Sequence, residues 1–135
     1  MTAPVDIISF SVASAAVVST FTDLEHNDAA DIFTGGTARK LAFELSNVGA
    51  NLTDLSLMVK FHKDGTYQNY ITGAEWAVST VVPPLIQASA DLHTLAAGSP
   101  GLGWAFLDLP PCYAIKFQGK CGTTTALTAR GTIWR

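Results

Sequence analysis

The sequence predicts an all-β fold, an antiparallel β-sandwich of about eight to ten short strands with at most one short helix. Three observations predict it. Leu41, Phe43 and Leu45 alternate with Ala42, Glu44 and Ser46, and Leu55, Leu57, Val59 and Phe61 alternate with Ser56, Met58, Lys60 and His62. A period of two is that of a half-buried strand. Clusters of Gly, Pro, Asn and Asp punctuate the chain every eight to twelve residues or so. No segment sustains a helical period. Jelly-roll and immunoglobulin-like topologies both fit, because strand order is not readable from one sequence.

Taken in order, Val5–Val12 and Ala15–Phe21 read as strands, with the small residues Ala13-Ser14-Ala15 forming a bend or carrying one strand through. Thr22–Asp31 is polar and acidic and reads as a loop. Ile32-Phe33-Thr34 is a short strand before a tight turn at Gly35-Gly36. Ala38–Ser46 follows, then the break Asn47-Val48-Gly49-Ala50-Asn51, so the central pair Leu41–Phe61 is a hairpin or an arch between facing sheets.

Asp64-Gly65 signals a hairpin returning through Thr66–Ile71. Thr72–Val82 is less regular, with Trp76 and Val78 facing the core. Pro83-Pro84 marks an edge or crossover. Ala88–Leu95 suits one or two helical turns. Trp104–Leu109 and Tyr113–Gln118 are strands, Gly119–Gly122 turns the chain, and the Thr-rich Thr123–Trp134 closes it.

A length of 135 residues suits one domain, residues 1–135, with a core that needs neither metal nor disulfide. The chain is 48% hydrophobic and 14% charged, against about 25% charged in ordinary soluble domains. So uncharged a surface predicts a subunit covered by neighbours. The net charge of −3 argues against nucleic-acid binding. Acids crowd the first third (Asp6, Asp23, Glu25, Asp28, Asp31) and bases the last (Lys116, Lys120, Arg130, Arg135). Pairing of the two ends would cancel them within one subunit, as would end-to-end contact between copies.

Ile7–Phe21 is apolar, but it lacks a preceding positive charge and is interrupted by serines, so it reads as a core strand and not as a leader or a membrane span. Asn51-Leu52-Thr53 matches a glycosylation pattern and is read as part of a turn. Cys112 and Cys121 flank a strand whose ends lie roughly 20 Å apart, beyond the roughly 7 Å limit for a bridge. Two free thiols fit synthesis in a reducing cytoplasm.

The chemistry-bearing residues do not assemble into a motif. His26, His62 and His93 are scattered and include no close ligand pair, so no zinc site is expected. The acidic loop Asp23, Glu25, Asp28, Asp31 lacks the glycine-punctuated pattern of calcium loops. Gly98-Ser99-Pro100-Gly101 is not a nucleophile elbow, and Gly98, Gly101 and Gly103 lack the lysine and helix of a phosphate loop. Cys112 has no signature of a Cys–His dyad. The expectation is a non-enzymatic protein with no metal, no cofactor and no small-molecule substrate. Trp76, Trp104 and Trp134 with Tyr67 and Tyr70 are either a sugar-stacking platform or core and interface anchors. If Ile133 faces inward, Trp134 faces outward and calls for a partner surface.

Leu41-Ala42-Phe43-Glu44-Leu45-Ser46-Asn47, Leu92–Gly98, Gly103–Leu109, Tyr113–Phe117 and the Thr-rich strand through Arg130 and Trp134 together resemble small β-sandwich proteins of tailed-bacteriophage virions, particularly capsid decoration (cement) proteins. The resemblance is one of layout over about two thirds of the chain. It implies a protein made in the host cytoplasm that binds the outer capsid surface, often as a trimer. Its partners would be the major capsid protein and copies of itself, with neither nucleic acid nor membrane involved. Other virion positions (tail, head closure, baseplate) and a carbohydrate-binding or adhesion module are the alternatives. Chain ends commonly reach over neighbours in lattices, so the candidate interface is Ile7, Ile8 and Phe10 with Trp134 and Arg135.

Overall fold

The computed structural model describes residues 7–34, 40–47, 49–76, 86–89, 91–97 and 102–134. The turn at Gly35-Gly36, Val78, Pro83-Pro84, the Gly98–Gly101 segment and Arg135 lie outside them. The described residues form ten strands: β1 (Ile7–Val17), β2 (Thr22–Asp23), β3 (Ile32–Phe33), β4 (Lys40–Asn47), β5 (Leu52–Lys60), β6 (Gln68–Thr72), β7 (Ile86–Ala88), β8 (Leu102–Asp108), β9 (Ala114–Cys121) and β10 (Thr125–Trp134). Two single 3₁₀ turns, Gly73–Trp76 and Leu92–Thr94, are the helical elements among the described residues.

The strands form two antiparallel sheets. The first has the order β1-β10-β4-β8-β7; the second has β2-β9-β5-β6, with β3 also on β9. First strand thus pairs with last, β2 and β3 with β9, β4 with β8, and β5 with β6. That nested winding is the jelly roll, and it decides between the two sandwich topologies. The central pair is an arch, since β4 lies in one sheet and β5 in the other.

Alternation fixes the core. Leu41, Phe43 and Leu45 of β4 and Leu127, Ala129 and Ile133 of β10 face Leu55, Leu57 and Val59 of β5 and Ile115 and Phe117 of β9. At its centre the Phe43 ring lies 4.8 Å from Phe117 and 5.7 Å, edge-on, from Trp76, and Phe10 stacks on Phe117 at 5.9 Å. Trp76 is fully buried and its indole donates to Leu55 O at 2.9 Å, so the one polar atom of the ring is satisfied.

Several sequence readings need correction. Of the two readings of the small-residue stretch the continuous strand holds, with a register shift between Ser14 and Val17, but β1 ends at Val17 and not at Phe21. β9 continues through Gly119 to Cys121, past the proposed turn, because Gly119 is an inward position where a side chain would collide with Leu127. Phe61 falls outside the core row: β5 stops at Lys60 and the ring is 59% exposed in the loop beyond. Tyr113 precedes β9 and packs edge-on against Phe33. The Thr22–Asp31 stretch is an interrupted edge strand, with Leu24 buried and a tight turn at Asn27-Asp28, both at positive φ (51° and 63°). A register shift opposite Leu57 makes Tyr70 an extra residue of β6, and its hydroxyl donates across the sandwich edge to Asp108 O at 2.8 Å.

Candidate functional site

The broad outer face of the first sheet is built by the even-numbered residues of β10, β4 and β8. Cross-strand register lays them in rows. Trp134, Lys40 and Asp108 form one; Ser9, Thr132, Ala42, Phe106 and Gln87 the next; Ser11, Arg130, Glu44 and Trp104 the third. Ala42, Phe106 and Thr132 of the second row, with Ser11, Glu44, Arg130 and Trp104 of the third, line a shallow hollow of about 610 Å³. The ion pair Arg130–Glu44 lines the hollow, while Lys40–Asp108 lies in the first row, outside its lining. Aromatic rings close the end formed by β8. Trp104 is 50% exposed and stacks on no other ring among the described residues, whereas Phe106 meets Trp134 edge-on at 6.4 Å.

The outer face of the second sheet is a self-satisfied polar network. Lys60 Nζ lies 5.2 Å from the Tyr67 ring centre and 5.6 Å from that of Tyr113. Lys116 Nζ sits 4.6 Å over Tyr67 and 3.4 Å from Asp23, which also accepts a hydrogen bond from Gln118 at 2.7 Å. Tyr67 donates to Asp31. Burial, then that acceptor, holds the Tyr67 phenol above its ordinary range. Asp23 and Lys116 join the acidic and basic ends of the sequence within one subunit.

The candidate interface residues are dispersed. Trp134 lies on the outer face of the first sheet, half-buried against Phe106. Ile8 and Phe10 sit on the inner side of β1, partly buried against the core, and line a slit of about 390 Å³ between β1 and β3. Ile7 stands opposite Trp134 in the sheet. Of the aromatic platform, Trp76 is in the core, Tyr67 lies over the second sheet, and Trp104 remains available on the first. Sequence reasoning missed Ala42, Thr132, Arg130, Glu44 and Phe106 as one site. Their outward positions were legible, but their lateral alignment was not.

Among the described residues no group of three His, Cys, Asp or Glu side chains converges as a metal site. His26 belongs to the Asn27-Asp28 turn, His62 accepts from Asp64 N at 3.0 Å, and His93 lies in the second 3₁₀ turn. Both cysteines are free and buried. Burial pushes the Cys112 thiol up, against a smaller opposite effect from Thr34, which disfavours the nucleophilic thiolate. No described helix is long and apolar enough to cross a membrane.

No protein-family model matches the chain, and no curated protein matches it at a significant level. Among solved structures, the crystal structure of the SPBc2 prophage-derived protein YomS is similar, with a TM-score of 0.54 at 11% identity, over 98% of this chain and 97% of that one. The likeness is one of fold, and it runs from end to end of both chains.

Proposed function

We propose that this protein is a non-enzymatic structural component of a tailed-bacteriophage virion, binding the outer capsid lattice and reinforcing it as a decoration protein. The observation that carries the reading is the likeness, over nearly the whole of both chains, to a prophage-derived protein. The surface supports it: exposed aromatics stand in separate places, with Phe33 on the second sheet and Phe61 at one end of the sandwich. A domain that bridges neighbours needs several modest contacts, not one deep site. Such contacts, repeated over a shell, add through effective concentration. In this reading the partners are the major capsid protein and sister copies, grouped as trimers, and the protein is made in the host cytoplasm.

The test is to mix the purified protein with preformed empty capsids of the phage that encodes it. Saturable binding with a higher shell melting temperature is the expected result. Absence from the shell, with gold-labelled protein found on tails or baseplates in micrographs of virions, would move it to another virion position.

A further inference from the structure

We propose that the hollow on the outer face of the first sheet binds a neutral saccharide. A pyranose ring has one flat C–H face and a rim of hydroxyls that both donate and accept, and it carries no charge. The hollow matches each property. Trp104 presents a half-exposed indole with no ring stacked on it among the described residues, a flat apolar surface of the kind that packs against a sugar face. The ion pair Arg130–Glu44 lines the hollow, offering a donor and an acceptor together while leaving little net field for a charged ligand. Thr132 and Ser11 add hydroxyls along the floor. The hollow, about 610 Å³, is shallow and open, so a sugar would lie across it on one face and not be enclosed.

The same features disfavour an apolar protein partner at this spot. Covering the hollow with apolar surface would strip water from the Arg130–Glu44 ion pair, and that desolvation is costly. Sugar hydroxyls replace the lost waters bond for bond. The inference goes beyond the virion reading and does not depend on it, because capsid binding and sugar binding are read in separate assays.

The experiment titrates the full chain with neutral di- to tetrasaccharides of glucose, galactose, mannose and N-acetylglucosamine. Binding is followed by calorimetry and by the indole N–H signals of the three tryptophans. The expected result is saturable binding to at least one sugar, with the Trp104 signal moving most. Trp104→Ala removes the platform and Ala42→Phe fills the floor; each is expected to weaken binding at least about tenfold. Phe33→Ala, on the opposite sheet, should bind as the parent does. Melting temperatures of all three are measured alongside, so loss of fold is told from loss of site. The proposal is overturned if no saccharide in the panel binds, if Trp104→Ala and Ala42→Phe bind unchanged, or if a uronic-acid or sialylated oligosaccharide binds more tightly than its neutral counterpart.

Discussion

Gly131 decides how closely β10 and β4 approach. A Cβ at that position would lie 2.1 Å from Ala42 O and 2.7 Å from Phe43 Cα, contacts with backbone that no side-chain rotation relieves. Its neighbour across the strands, Phe43, is one of the rings packed on Phe117, so a shift there propagates into the aromatic centre of the core. Gly131→Ala is therefore expected to destabilise by about 1–3 kcal/mol in urea unfolding. Gly122→Ala, with nothing within 4 Å, should stay within about 0.5 kcal/mol of the parent. At this scale the sequence is informative where a period of two operates. It assigned Trp134 to the outer face because Ile133 faces in, and the burial of both residues agrees. It turned Trp76 toward the core, where the structure finds it, yet kept it beside Trp104 among the platform candidates. Trp76 sits on a 3₁₀ turn, where alternation says nothing of direction, and its burial depends on Leu55 and Phe43, far away in sequence.

The arch between β4 and β5 is held by side-chain hydrogen bonds, because strands in opposite sheets share no ladder. Asn47 is buried at its start, donating to Ala50 O at 2.7 Å and Leu95 O at 3.1 Å and accepting from Thr125 Oγ1 at 2.7 Å. One amide thus ties the arch, the second 3₁₀ turn and the beginning of β10 together. Asn47→Ala leaves two carbonyls and a hydroxyl without that partner in a buried place, and is expected to cost about 1–3 kcal/mol. A double-mutant cycle with Thr125→Val should show the two effects to be non-additive. Both strands of this pair are legible in the sequence, from Leu41–Leu45 and Leu55–Val59. Their assignment to different sheets is not, since alternation reports which face is apolar and never which strand lies alongside. For the same reason the outer-face hollow was invisible: Ala42, Thr132 and Phe106 become neighbours only once β4 lies between β10 and β8.

For the molecule as a whole, the segregation of acids and bases along the sequence is undone by the winding. β1 lies against β10, and Asp23 meets Lys116. Two partly buried phenols make stability sensitive to alkaline pH. Burial is the main cause that raises both Tyr67 and Tyr70 above their ordinary value of 10.0, with Tyr70 pushed up to about 12. In each case a nearby aspartate, Asp31 or Asp108, adds to the shift. The unfolded chain releases these protons near pH 10, the native one only at higher pH, so the unfolded state binds fewer protons in that interval. Their contribution is complete below pH 10 and is lost as pH rises through the native values. The urea midpoint is expected to fall between pH 10 and 12, and to fall less steeply in the Tyr67→Phe/Tyr70→Phe variant.

The nested winding also has a topological outcome. Ile7 stands directly across from Trp134, so any polypeptide joined ahead of the one or behind the other departs from a single corner. A cargo or a tether fused on either side would therefore be held at that same corner of the first sheet.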